Sequence, residues 1–125
     1  MAELIVDGTD LVLHLTLAQK VLSFHNDIRV PLTAVRSVQA VDKPWLALRG
    51  RRMAGTALRG VAAMGTWIHG DRRYDFCVVR SQQTAVQLDI STGRFDRFLV
   101  SLPPGLDHRA EADRLACAAG IATTG

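Results

Sequence analysis

Five cations lie between Lys43 and Gly70 (Lys43, Arg49, Arg51, Arg52 and Arg59), no acidic residue interrupts them, and glycine recurs at positions 50, 55, 60, 65 and 70. Arginine offers a planar two-pronged donor to phosphate or carboxylate, and glycine lets backbone amides approach an anion closely. This combination predicts anion binding by Arg49, Arg51, Arg52 and Arg59, with Trp45 as an anchor for a partner. A structural reading stands beside it. One or two of the arginines can pair with Asp42, Asp71 or Asp75 and pin the segment, and a tryptophan after a proline at a loop root can fold back over the core edge. Thirteen of the fifteen Lys and Arg residues are arginine, which fits oxyanion recognition and equally fits the codon bias of a GC-rich genome.

No catalytic constellation accompanies the basic segment. His14, His25, His69 and His108 are scattered without Cys, His or carboxylate neighbours at metal-ligand spacing, so neither a metal nor a cofactor is expected. Cys77 and Cys117 sit inside apolar runs and read as small buried hydrophobes. Ser23, Ser37, Ser81, Ser91 and Ser101 lack a nucleophile elbow, and the glycines match neither the dinucleotide nor the P-loop fingerprint. Asp71, Arg72, Arg73 and Asp75 read as a mixed-charge hairpin tip.

The elements that must position these residues are mostly strands. Leu4 to Val6 leads through Asp7-Gly8 into Leu11, Leu13 and Leu15, a hairpin signal, and Thr16 with Gln19 forms a capping box for a short helix near residues 17–24. Strand signals follow at Ile28 to Val30 and Ala34 to Val41, with Pro31 marking an edge, bulge or corner. An irregular basic insert occupies about 43–60. Strands resume at Val61 to Ile68, Tyr74 to Val79, Thr84 to Ile90 and Phe98 to Leu102, in the pattern of an up-and-down meander. Asp107 caps a final helix with Ala112, Leu115, Ala116 and Ala119 inward, stopped at Gly120. The expected fold is mainly β: a strongly bent antiparallel sheet or partly open barrel of seven or eight strands, plugged by the carboxy-terminal helix, as a single domain over 1–125.

Asp27-Ile-Arg-Val-Pro-Leu, Pro44-Trp45, Leu48-Arg49-Gly50, Gly55-Thr56, Gly65-Thr66 and Asp75-Phe76, in this order of elements, resemble the small pleckstrin-homology-like proteins of actinobacteria, a family without an assigned function. The resemblance implies a scaffold used elsewhere for phospholipid headgroups, peptides or protein partners, and it supplies no catalytic residue. It also assigns some of the insert glycines, with Trp45 and Arg49, to backbone shape, which leaves Arg51, Arg52 and Arg59 for partner contact.

A net charge of +3 is mild for a nucleic-acid binder, and a single aromatic in the insert stacks bases poorly. No apolar run approaches the roughly 20 residues that span a bilayer, and the amino terminus shows Glu3 and a three-residue apolar run instead of a signal peptide, so the expectation is a reduced, cytoplasmic protein. The leading expectation is a non-catalytic interaction module that holds a protein partner or self-associates. The alternative is a peripheral binder of phospholipid headgroups or phosphates through the insert. The third is a small-molecule binder or enzyme with a cavity whose mouth carries His25, Asp27, Tyr74 or Cys77.

Overall fold

The computed structural model describes residues 3–23, 27–44, 48, 51–58, 62–69, 73–80, 83–91, 95–102 and 105–121, giving the backbone alone at 21–23, 51–54, 57–58 and 69. Strand β1 (Glu3–Asp7) and β2 (Asp10–His14) form the predicted hairpin, with Gly8 at φ 61° in its turn. Period-2 alternation puts Leu4, Leu11 and Leu13 on the buried side. Helix α1 (Leu17–Ser23) opens on the capping box: the Gln19 N–H donates to Thr16 Oγ1 at 3.2 Å, and the Thr16 N–H donates to Gln19 Oε1 at 3.0 Å. Strand β3 (Ile28–Pro31) then completes a three-stranded sheet in the order β1-β2-β3.

Pro31 ends the pairing with β2, where a missing N–H costs no ladder bond. A 3₁₀ turn (Leu32–Ala34) carries the chain to β4 (Val35–Val41) and the second sheet. That sheet also contains β5 (Arg51–Leu58), β6 (Ala62–His69), β7 (Arg73–Arg80), β8 (Ala85–Ile90) and β9 (Arg97–Ser101), in the order β4-β8-β9-β7-β6-β5.

The structure corrects the sequence expectation at three points. The described strands number nine rather than seven or eight, in two sheets and without a closed barrel among the described residues. The extra strand is β5, inside the segment expected to be irregular. A register shift between Arg52 and Ala54 and a glycine at 55 disguise its alternation, and its pairing with β6 supplies the order that propensity does not. The succession of strands is also not a meander. β9 lies parallel to β7, and β8 lies on the far side of β9, antiparallel to β4. Alternation decides which face a residue occupies and leaves the neighbouring strand open.

The main core lies between the sheets and joins Leu11, Leu13, Ile28 and Val30 to Val38, Phe76, Val78, Leu88, Phe98 and Val100. Helix α2 (His108–Ala119) adds Ala112, Leu115 and Ala116 to it and packs against β4 and β8, on the face of the sheet rather than across a barrel mouth. The Asp107 side chain accepts from the Arg109 N–H at 3.0 Å, and beyond Gly120 (φ 73°) the Ile121 N–H donates to the Ala116 carbonyl at 2.9 Å, so both predicted helix ends form.

Candidate functional site

The six-stranded sheet has a second face, turned away from the core, and its residues divide it in two. Toward one end lies an apolar cluster of Ala63, Trp67, Cys77, Val79, Ala85 and Leu99, covered in part by Leu48 from the predicted insert. Toward the other end the inward-outward alternation brings polar residues to the same face. The pairings Ser37↔Asp89, Asp89↔Arg97 and Asp75↔Arg97 draw a polar row across β4, β8, β9 and β7, which Trp67 of the apolar cluster and then Arg52 continue across β6 and β5.

Along this row Asp89 is the hub. Its Oδ2 accepts from Ser37 Oγ at 2.8 Å and its Oδ1 accepts from Arg97 Nε at 2.9 Å. The charge-assisted bond holds the Arg97 guanidinium by its Nε edge. Asp75, only 2% exposed, sits beside Arg97 on the parallel strand.

A cavity of about 420 Å³ opens over this end of the face, lined by Arg36, Ser37, Arg73, Asp89, Ile90, Asp96 and Arg97. Arg36 reaches it through a β-bulge. The register shifts between Val35 and Ser37, so Val35 and Val38 are both buried three positions apart, and the consecutive residues Arg36 and Ser37 both line the cavity. In a regular strand they would face opposite sides; a bulge re-aims one of them. Asp96 is fixed by its backbone: its N–H donates to the Tyr74 carbonyl at 2.7 Å, and its carbonyl accepts from the Ile90 N–H at 2.8 Å. The Ser91 N–H and hydroxyl both donate to the Ala34 carbonyl, at 2.8 and 3.1 Å, tying the same rim to the start of β4.

Arg97 and Asp89 neutralise one another. The side chains of Arg36, Arg73 and Asp96 form no hydrogen bond or ion pair among the described residues, so two guanidinium groups and one carboxylate face the cavity unpaired. Guanidinium groups are suited to an oxyanion through forked hydrogen bonds, and Ile90 is the one apolar residue among the described lining residues.

The residues singled out by the sequence are not those that form the cavity. Arg51 and Arg52 lie on the edge strand β5, Arg52 where the continued row ends, with only their backbone described. Trp45, Arg49 and Arg59 lie outside the described residues, as does His25. Tyr74 packs against the main core and Cys77 is buried in the outer cluster. Cys117, expected to be buried, is exposed on α2, because at 3.6 residues per turn it falls on the side of the helix opposite Ala112, Leu115, Ala116 and Ala119. Asp27 serves structure. Its Oδ1 accepts from the Leu15 N–H at 2.7 Å and its Oδ2 lies 2.9 Å from His14 Nδ1, and the backbone bond above all holds its carboxyl below the usual aspartate value, against a smaller opposing effect of burial.

Sequence reasoning missed Arg36, Arg97, Asp89 and Asp96 altogether and left Arg73 in a solvated turn. The one local signal is Val35-Arg36-Ser37-Val38, whose apolar spacing of three breaks the strand period. Among the described residues no three His, Cys, Asp or Glu come together as a metal site, and no helix is long and apolar enough to cross a membrane. The chain matches no protein-family model, no curated protein and no solved structure.

Proposed function

We propose that this protein is a non-catalytic binding module for a small phosphate-bearing ligand, taken up in the cavity over β4, β7, β8 and β9. The observation that carries this reading is the presence of Arg36 and Arg73 in one cavity of about 420 Å³, each without a side-chain partner among the described residues. Unpaired guanidinium groups on a shared hollow are complementary to a tetrahedral oxyanion, and the Asp89-held Arg97 adds a third donor with a defined orientation. The pleckstrin-homology-like resemblance supports a binding role, while the helix on the sheet face and the parallel β7–β9 pair depart from the bent antiparallel sheet with a plugging helix expected from the sequence.

Isothermal titration with inorganic phosphate tests the reading. Binding to the native chain should weaken at least tenfold in Arg36→Ala and in Arg73→Ala, because a hydrogen bond to a charged group contributes about 1.5–3 kcal/mol. Phosphate binding that neither substitution changes would remove the cavity from the account.

A second reading rests on β5. This strand is the edge of the six-stranded sheet and carries Arg51 and Arg52, so it can accept a strand from an acidic protein partner or a second copy. The mass in solution checks self-association. A monomer that captures no partner through β5, and whose retention on acidic vesicles survives Arg51→Ala and Arg52→Ala, removes both the edge and the insert as contact surfaces.

A further inference from the structure

We infer that the ligand of the arginine cavity is a zwitterion, a phosphate ester that also carries an ammonium group. The inference rests on the phosphate-site reading above and narrows it through Asp96. An aspartate that shares a hollow with three arginines ordinarily pairs with one of them, as Asp89 does with Arg97. Asp96 does not, although it lines the same cavity. Its backbone is tied through both its N–H and its carbonyl, to Tyr74 and to Ile90. Arg36 comes from the bulge in β4 and Arg73 from the start of β7, and neither forms an ion pair with Asp96. The cavity therefore holds two arginines and an aspartate that are not paired with one another.

Charge complementarity narrows the ligand. Among the described lining residues Arg36, Arg73 and Arg97 contribute three positive charges and Asp89 and Asp96 two negative ones. Removing the Arg97–Asp89 pair leaves two guanidinium groups against one carboxylate. A dianionic phosphate ester with a single ammonium complements this in number and in sign. A phosphate without the ammonium would share the hollow with an uncompensated Asp96 carboxylate, a repulsion that discriminates against it. Among the described lining residues Ile90 alone is apolar and none is aromatic, so a short polar ligand fits better than a nucleotide. The shared chemistry is that of an aminoalkyl phosphate; the free monoester carries the two negative charges of this count, whereas a lipid headgroup is a diester and carries one.

The full chain is titrated with O-phosphoethanolamine, with ethyl phosphate, in which a methyl-terminated chain replaces the aminoalkyl group, and with inorganic phosphate. O-Phosphoethanolamine should bind at least tenfold more tightly than ethyl phosphate, and Asp96→Asn should abolish that preference while ethyl phosphate binds as well as before or better. Equal affinity of the native chain for the two esters overturns the zwitterion inference and leaves the phosphate site standing. Absence of binding by all three overturns both. Should Asp96→Asn fail to fold, the comparison of the two esters on the native chain still decides. Sedimentation with phosphatidylethanolamine vesicles, set against phosphatidylcholine vesicles, separates the sources: retention competed by O-phosphoethanolamine assigns a headgroup, and soluble binding without retention assigns a free ligand.

Discussion

Gly55 on β5 stands directly opposite Gly65 on β6, and a β-carbon added to Gly55 would lie 2.1 Å from the Met64 carbonyl oxygen and 2.7 Å from Gly65 Cα. Both residues adopt positive φ, 119° and 132°. Their pairing explains part of the five-residue glycine spacing: positions equidistant from the β5–β6 connection meet across the hairpin. Gly55→Ala should cost about 2–3 kcal/mol or more, since the obstacle is backbone and cannot rotate away. Gly8→Ala is the matched control. Its φ is 61° but nothing lies within 4 Å of the new atom, so about 1 kcal/mol of backbone strain is expected. Urea midpoints of the two variants check the contrast.

Asp27 makes stability depend on pH. Its carboxyl is held below its ordinary value of 3.8 by the Leu15 N–H first, with further help from His14 and Lys20. A carboxylate whose folded pKa is depressed stabilises the fold above the unfolded value, and that contribution disappears as pH falls through the folded value. Asp27→Asn should therefore lower the unfolding free energy by about 1 kcal/mol at pH 7, a figure kept small because the side chain is one-third exposed. The difference between the two proteins should shrink below pH 3.8 and vanish in stronger acid. Denaturant titrations along a pH series measure it.

Asp89 binds both Ser37 and Arg97, so Asp89→Asn removes a negative charge from the cavity and frees a third guanidinium. Ethyl phosphate should bind several-fold more tightly to this variant, with a steeper dependence on salt, while the preference for an ammonium-bearing ester narrows. Stability should fall by about 1–2 kcal/mol from the lost charge-assisted bonds. Calorimetric titration at two ionic strengths, beside a thermal melt, separates the two effects.

Helix α2 supplies a control that contributes no described residue to the cavity lining. Leu115→Ala should cost about 2–5 kcal/mol, because the side chain is fully buried between the helix and the sheets. Asp107→Ala should cost about 1 kcal/mol through the lost cap. Neither variant, where it remains folded, should change phosphate affinity.

The local devices were legible because each is complete within a few residues. Thr16 and Gln19 bond each other across one turn, Asp7-Gly8 closes a hairpin between adjacent strands, and Gly120 ends a helix by its own conformation. Strand β5 was hidden by its own composition: arginine, alanine and glycine carry little strand preference, and only the partner β6 gives them a ladder.

The amino-acid order alone settled where most strands lie, which side chains face inward, and that a capped helix follows the last strand, because these depend on period and on short-range hydrogen bonds. It drew attention to the arginines that are neighbours in the chain. The arginines that share a cavity, Arg36, Arg73 and Arg97, are neighbours only in space. They meet because β8 lies between β4 and β9, because β9 runs parallel to β7, and because one bulge turns Arg36 toward Ser37's side. Strand order follows from closing long loops against the burial of a common core, a balance over the whole chain that no local pattern records.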